Sequence, residues 1–133
     1  MLELQSEDQQ IIIDDVWQSS EFDFDSDGYN YWVVMSIDLK VSDGEADVLV
    51  RPGFKLSSES TYKFVTSTDT LQLVSDSFTN ADYLYRNFDR GIYDIAFELS
   101  FLGTETVHMT LDKNDDPDLG GVQLESWEED GSP

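Results

Sequence analysis

The 133-residue chain has no cysteine, a single histidine and only seven basic residues. Without cysteine there are no disulfides, no thiolate metal sites and no cysteine nucleophile, and the redox compartment stays open. The lone histidine, His108, has no G-x-S-x-G elbow to serve, so a serine triad is not expected. Zinc hydrolysis lacks ligands on the same count. Phosphate-cradling glycine loops and basic nucleotide-binding patches are absent from the sequence too. A noncatalytic role is therefore the expectation. No apolar run approaches the ~20 residues of a membrane-spanning helix, and membrane insertion is not expected. The opening MLELQSEDQQ lacks the basic-then-apolar pattern of a signal peptide. A module excised from a secreted protein would also begin this way, and an extracellular or periplasmic setting is favoured.

What the chain has in excess is acid. Its 29 Asp and Glu residues give a formal net charge of -22, which disfavours bare nucleic acid and anionic membranes as partners. Three readings compete for that excess. Dispersed acids solvate a surface, as in salt-adapted proteins; some of them bind a divalent cation; or the acids mimic a nucleic acid, although they alternate with apolar residues instead of forming a block.

Apolar residues recur with period two, the mark of half-buried strands. From Tyr31 the odd positions read Tyr31, Val33, Met35, Ile37, Leu39 and Val41. Ser42-Asp43-Gly44 is turn chemistry, and Ala46, Val48, Val50, Phe54 and Leu56 then alternate on even numbers, predicting a hairpin with a bulge or edge position at Pro52-Gly53. Shorter strands are predicted near 61–66, 70–75 and 83–88. A second strong pair runs from Gly91 to Phe101 and, after Gly103, through Val107 to Leu111. Ile11 to Trp17 and Val122 to Leu124 complete seven to nine strands. Their number and spacing, with weak helical periodicity, predict one antiparallel β-sandwich over 11–127, flanked by a flexible segment 1–10 and an acidic tail 128–133.

Two loops carry candidate chemistry. Asp23, Asp25 and Asp27 place hard oxygen ligands on alternate residues, and Gly28 permits the turn that brings the Tyr29 carbonyl inward, a spacing suited to Ca²⁺. An EF-hand would need a glutamate at the twelfth position, which is Val34. Asn114, Asp116 and Asp118 form a second oxygen-rich loop with Asp112 that would complete the site if the two loops meet at one end of the sandwich. Trp32 falls on the polar side of its strand and is the candidate for stacking on a carbohydrate or protein ligand, with Trp17, Tyr29 and Trp127 as possible companions. Burial of Trp32 beneath a terminal strand is the competing reading.

Asp89-Arg90-Gly91-Ile92-Tyr93-Asp94-Ile95 resembles the D-x-G-x-Y-x-C tyrosine corner of immunoglobulin domains, with Ile95 at the cysteine position. The resemblance implies an immunoglobulin-like topology in which Tyr93 hydrogen-bonds back to the preceding corner. The Asp23–Val50 segment and the G-I-Y-D-I-A-F-E-L strand resemble small β-sandwich accessory domains of secreted bacterial proteins, which implies a noncatalytic binding module. An acidic immunity or inhibitor protein that meets a basic protein partner is the alternative. The sequence leaves the oligomeric state open.

Overall fold

The computed structural model describes residues 9–104 and 106–128. Among them lie nine strands, β1 (Ile11–Phe22), β2 (Trp32–Val41), β3 (Glu45–Leu56), β4 (Lys63–Phe64), β5 (Asp69–Val74), β6 (Thr79–Arg86), β7 (Gly91–Phe101), β8 (Met109–Leu111) and β9 (Val122–Leu124). The one helical element among the described residues is a 3₁₀ turn, Pro117–Leu119. One sheet has the order β1-β2-β6; in the other, β3 and β7 are central, with β4 and β5 along the far edge of β3 and β8 and β9 along that of β7. The chain is an antiparallel β-sandwich. Period-two alternation is what builds it: Val33, Met35, Ile37 and Leu39 of β2 are fully buried, as are Val48 and Val50 of β3 and Ile95, Phe97 and Leu99 of β7. Burial of each such side chain contributes about 1.5–3 kcal/mol before chain entropy is set against it.

Several strands differ from their sequence pattern in instructive ways. β2 and β3 are not a hairpin, because β2 pairs with β1 and β6 whereas β3 pairs with β4, β5 and β7. Ser42–Gly44 instead carries the chain from one sheet to the other. A turn between two alternating runs serves either purpose; here Gln9, buried within the segment expected to be flexible, donates to the Asp43 and Glu45 carbonyls and holds the crossing. β6 starts and ends earlier than expected, since Asn87 adopts a positive φ of 69° that stops the strand. β1 runs on to Phe22 through two register shifts. Pro52 sits where β5 ends and β4 begins, so its missing N–H interrupts no continuous ladder, while the register with β7 passes it unbroken. The β7–β8 hairpin forms as expected, Phe97 opposite Leu111.

On the outer face of β7 the buried carboxylate of Asp94 gathers a polar knot. Lys55, its cross-strand partner, donates at 3.0 Å and Lys113 at 2.7 Å, while the Ser57 hydroxyl and the Gly121 amide donate to the other oxygen. This ties β3, β7 and the 112–121 loop together. Burial by itself pushes the Asp94 carboxyl up, but Lys113, Lys55, Ser57 and Gly121 outweigh it and hold the group well below the usual carboxylate range. Because the folded-state value lies under the unfolded one near ~3.9, this contribution is present above about pH 4 and fades as pH falls. Asp94→Asn leaves Lys55 buried beside a neutral group and is expected to cost about 3–5 kcal/mol in urea denaturation at neutral pH. The variant's loss relative to wild type is expected to shrink as both are titrated below pH ~4.

Candidate metal centre

The segment between β1 and β2 is shaped by its own aspartates. Asp23 Oδ2 accepts from the Gly28 amide at 2.8 Å, and Asp27 Oδ1 from the Tyr29 amide at 2.9 Å. Gly28 holds a φ of 93°, a conformation that glycine adopts without strain. The Tyr31 amide donates to the Phe22 carbonyl and closes the loop. Beyond β9, the Glu125 amide donates to the Asn30 carbonyl and the Asn30 amide to the Gln123 carbonyl, which brings the end of β9 against the loop. As a result, carboxylate oxygens of Asp23, Asp25, Asp27 and Glu125 lie within 4.8 Å of one another. Glu125 is fully buried.

Arg90, at the entry to β7, is the countercharge. Its Nη1 donates to Asp27 Oδ2 at 2.7 Å and to Glu125 Oε1, and its guanidinium lies 3.8 Å from the centre of the Tyr29 ring. The corner that carries it is tied back by the Tyr93 hydroxyl, which donates to the Asp89 carbonyl at 2.7 Å. Four carboxylates thus face one guanidinium. Partial desolvation by its neighbours, and then the hydrogen bond and charge of Asp27, push the Asp25 carboxyl up to about 6. Arg90 foremost, then the Tyr29 amide, holds Asp27 below its ordinary value, and Asp27 in turn raises Arg90.

Comparison with protein-family models, curated proteins and solved structures found no match. The site is therefore read from its own geometry.

Asp23, Asp25 and Asp27 come together as their spacing predicts, but the fourth carboxylate is Glu125. The loop of Asn114, Asp116 and Asp118 folds on itself instead: Asp112 accepts from the Asn114 amide, and Asp116 caps the 3₁₀ turn through the Asp118 amide. Asp116 and Asp118 stand outside the carboxylate group, although Asp118 lines a recess beside it with Asn30 and Gln123. Tyr29 contributes its ring to Arg90 and its amide to Asp27. Glu125 lies in no motif, and Arg90 fills an unspecified position of the Asp89–Ile95 tyrosine-corner pattern, so neither is marked by the sequence as part of the site.

Trp32 is half-buried and stacks on Phe22, the ring centres 6.0 Å apart. Phe22 also meets Phe24 and Trp127, and Trp127 meets Tyr31 at 5.1 Å. Phe22, Phe24 and Trp127 are exposed. The rings alternate in sequence with the carboxylates, as Phe22-Asp23-Phe24-Asp25 and Glu125-Ser126-Trp127, so one stretch of backbone carries both groups.

The residues fit a hard cation. All four side chains are oxygen donors, and Asp23 Oδ1 is buried with no hydrogen-bond partner among the described residues. Since Asp25 is raised in the folded state, the metal-free protein is expected to lose stability as pH rises from about 4 to about 6 and this carboxyl ionises. Melting in EDTA across that range checks the sign, and Asp25→Asn is expected to flatten the dependence.

Proposed function

We propose that the chain is a noncatalytic β-sandwich binding module of a surface or secreted protein, in which Ca²⁺ held by Asp23, Asp25, Asp27 and Glu125 orders an exposed aromatic platform. The observation that supports this reading is the interleaving of the two groups. Phe24 lies between two of the carboxylates and Trp127 lies two residues beyond Glu125, so fixing the carboxylates fixes the rings. Ca²⁺ takes 6–8 oxygens, more than four carboxylates supply one atom at a time, and carbonyls such as that of Tyr29 or waters complete the set. Flat exposed rings suit the apolar faces of sugars, which makes a carbohydrate the ligand class of this module. The immunoglobulin-like topology implied by the tyrosine corner accords with the Tyr93 hydrogen bond.

A second reading rests on the same platform seen with its charge. Exposed rings flanked by Asp23, Asp25 and Asp27 suit the lysine and arginine side chains of a basic protein partner, as in an immunity or inhibitor protein. Association that weakens steeply with salt distinguishes this from sugar binding, which is nearly insensitive to it.

Thermal melting with EDTA and then with Ca²⁺ at fixed ionic strength tests the metal. Binding to the folded state alone is expected to add about 2.7 kcal/mol at 100 times the dissociation constant. Asp25→Ala and Glu125→Gln are expected to abolish the response. An equal rescue by KCl of matched ionic strength would assign the acids to general salt adaptation instead.

A further inference from the structure

Where β1 ends the smaller sheet, a polar recess of about 480 Å³ lies between that strand and the 3₁₀ turn packed beside it. That is within the size range of small-molecule sites. Trp17 and Gln18 come to it from β1, Asn30 and Gln123 from the bridge beside the carboxylate cluster, and Asp118, Gly120 and Gly121 from the turn and its exit.

The backbone of this recess is fixed before any ligand arrives. Asp94 holds the Gly121 amide, Asp116 caps the turn through the Asp118 amide, and the Asn30 amide donates to the Gln123 carbonyl. The side chains, by contrast, have capacity to spare. The Asp118 carboxylate and the Gln123 amide group make no hydrogen bond or ion pair among the described residues. Half-buried Trp17, unlike Trp32 and Trp127, packs against no other ring among them.

An anion would meet Asp118 and a net charge of -22 with no lysine or arginine in the lining. A simple cation gains little, because a solvent-exposed ion pair with one carboxylate is weak. A wholly apolar ligand would cover the carboxylate and the amides without pairing them. A neutral ring with hydroxyls at its rim and C–H groups on its face meets each of these demands: the face lies on the Trp17 indole, two adjacent hydroxyls donate to Asp118, and a third pairs with the Gln123 amide.

We propose that this recess binds one neutral hexopyranose unit of a glycan. The site, which rests on the carbohydrate reading of the module, lies apart from the exposed rings and does not require Ca²⁺.

The test follows the indole N–H signals of the three tryptophans in the full chain, in EDTA at about 0.15 M salt, where charges beyond about 8 Å are screened. Methyl β-glucoside, methyl β-galactoside and methyl α-mannoside are added in turn, and the Trp17 signal is assigned by its loss in Trp17→Phe. At least one sugar is expected to shift that signal saturably, and choline at the same concentrations to leave it in place. Asp118→Ala is expected to weaken the sugar about tenfold, the equivalent of one charge-assisted contact. Its melting temperature should not change, since the Asp118 side chain is exposed and makes no hydrogen bond among the described residues. Asp76→Ala, which removes an exposed acid outside the recess, is expected to bind as wild type does. Saturable shifts of Trp32 or Trp127 with Trp17 unmoved would overturn the recess and leave the carbohydrate reading standing, whereas no saturable shift of any indole would overturn both. Binding undiminished by Asp118→Ala, or choline shifting Trp17 as the sugars do, would also overturn the proposal.

Discussion

Arg90 reaches from the entry of β7 to Asp27 in the loop before β2 and to Glu125 beyond β9, joining segments that are distant in sequence. Glu125 is fully buried, and a buried carboxylate without a partner is among the costlier things a fold can contain. Arg90 answers that cost, and the Tyr93–Asp89 hydrogen bond sets the corner from which it reaches. The tyrosine corner and the aspartate-rich loop, unrelated in sequence, are thus two parts of one arrangement. A single guanidinium leaves the other carboxylates in excess, which is the electrostatic opening for a divalent cation.

The same economy of positive charge runs through the molecule. Lys55 and Lys113 are spent on Asp94, locking the outer face of β7 to the 112–121 loop. That commitment explains why the second acidic loop is self-contained: Lys113 anchors it to Asp94, and its aspartates cap their own backbone amides.

Strand positions were legible because period-two alternation and burial are the same fact seen twice: each odd residue from Val33 to Val41 that reads as core is core. Pairing was less so. Ser42-Asp43-Gly44 carries equal signal for a hairpin and for a crossing between sheets, and only the contacts of Gln9 and the partners of β2 and β3 decide. At the carboxylate cluster, alternate-residue spacing found Asp23, Asp25 and Asp27 because their convergence is local. Glu125 arrives through the pairing of Asn30 with β9, a long-range contact that no local spacing encodes. For Trp32 the pattern placed the ring on the polar face, but Phe22 covers it from the extended end of β1, and the rings exposed in this group are Phe22, Phe24 and Trp127.

The claim that the carboxylate cluster is a Ca²⁺ site that organises the rings around it is tested most directly by terbium luminescence. Tb³⁺ takes the same oxygen ligands, and nearby Trp32, Trp127 and Tyr29 can sensitise its emission. The account predicts sensitised emission on tryptophan excitation that Ca²⁺ displaces, that KCl of equal ionic strength leaves in place, and that Glu125→Gln abolishes. No sensitised emission, or emission indifferent to Glu125→Gln, would contradict it.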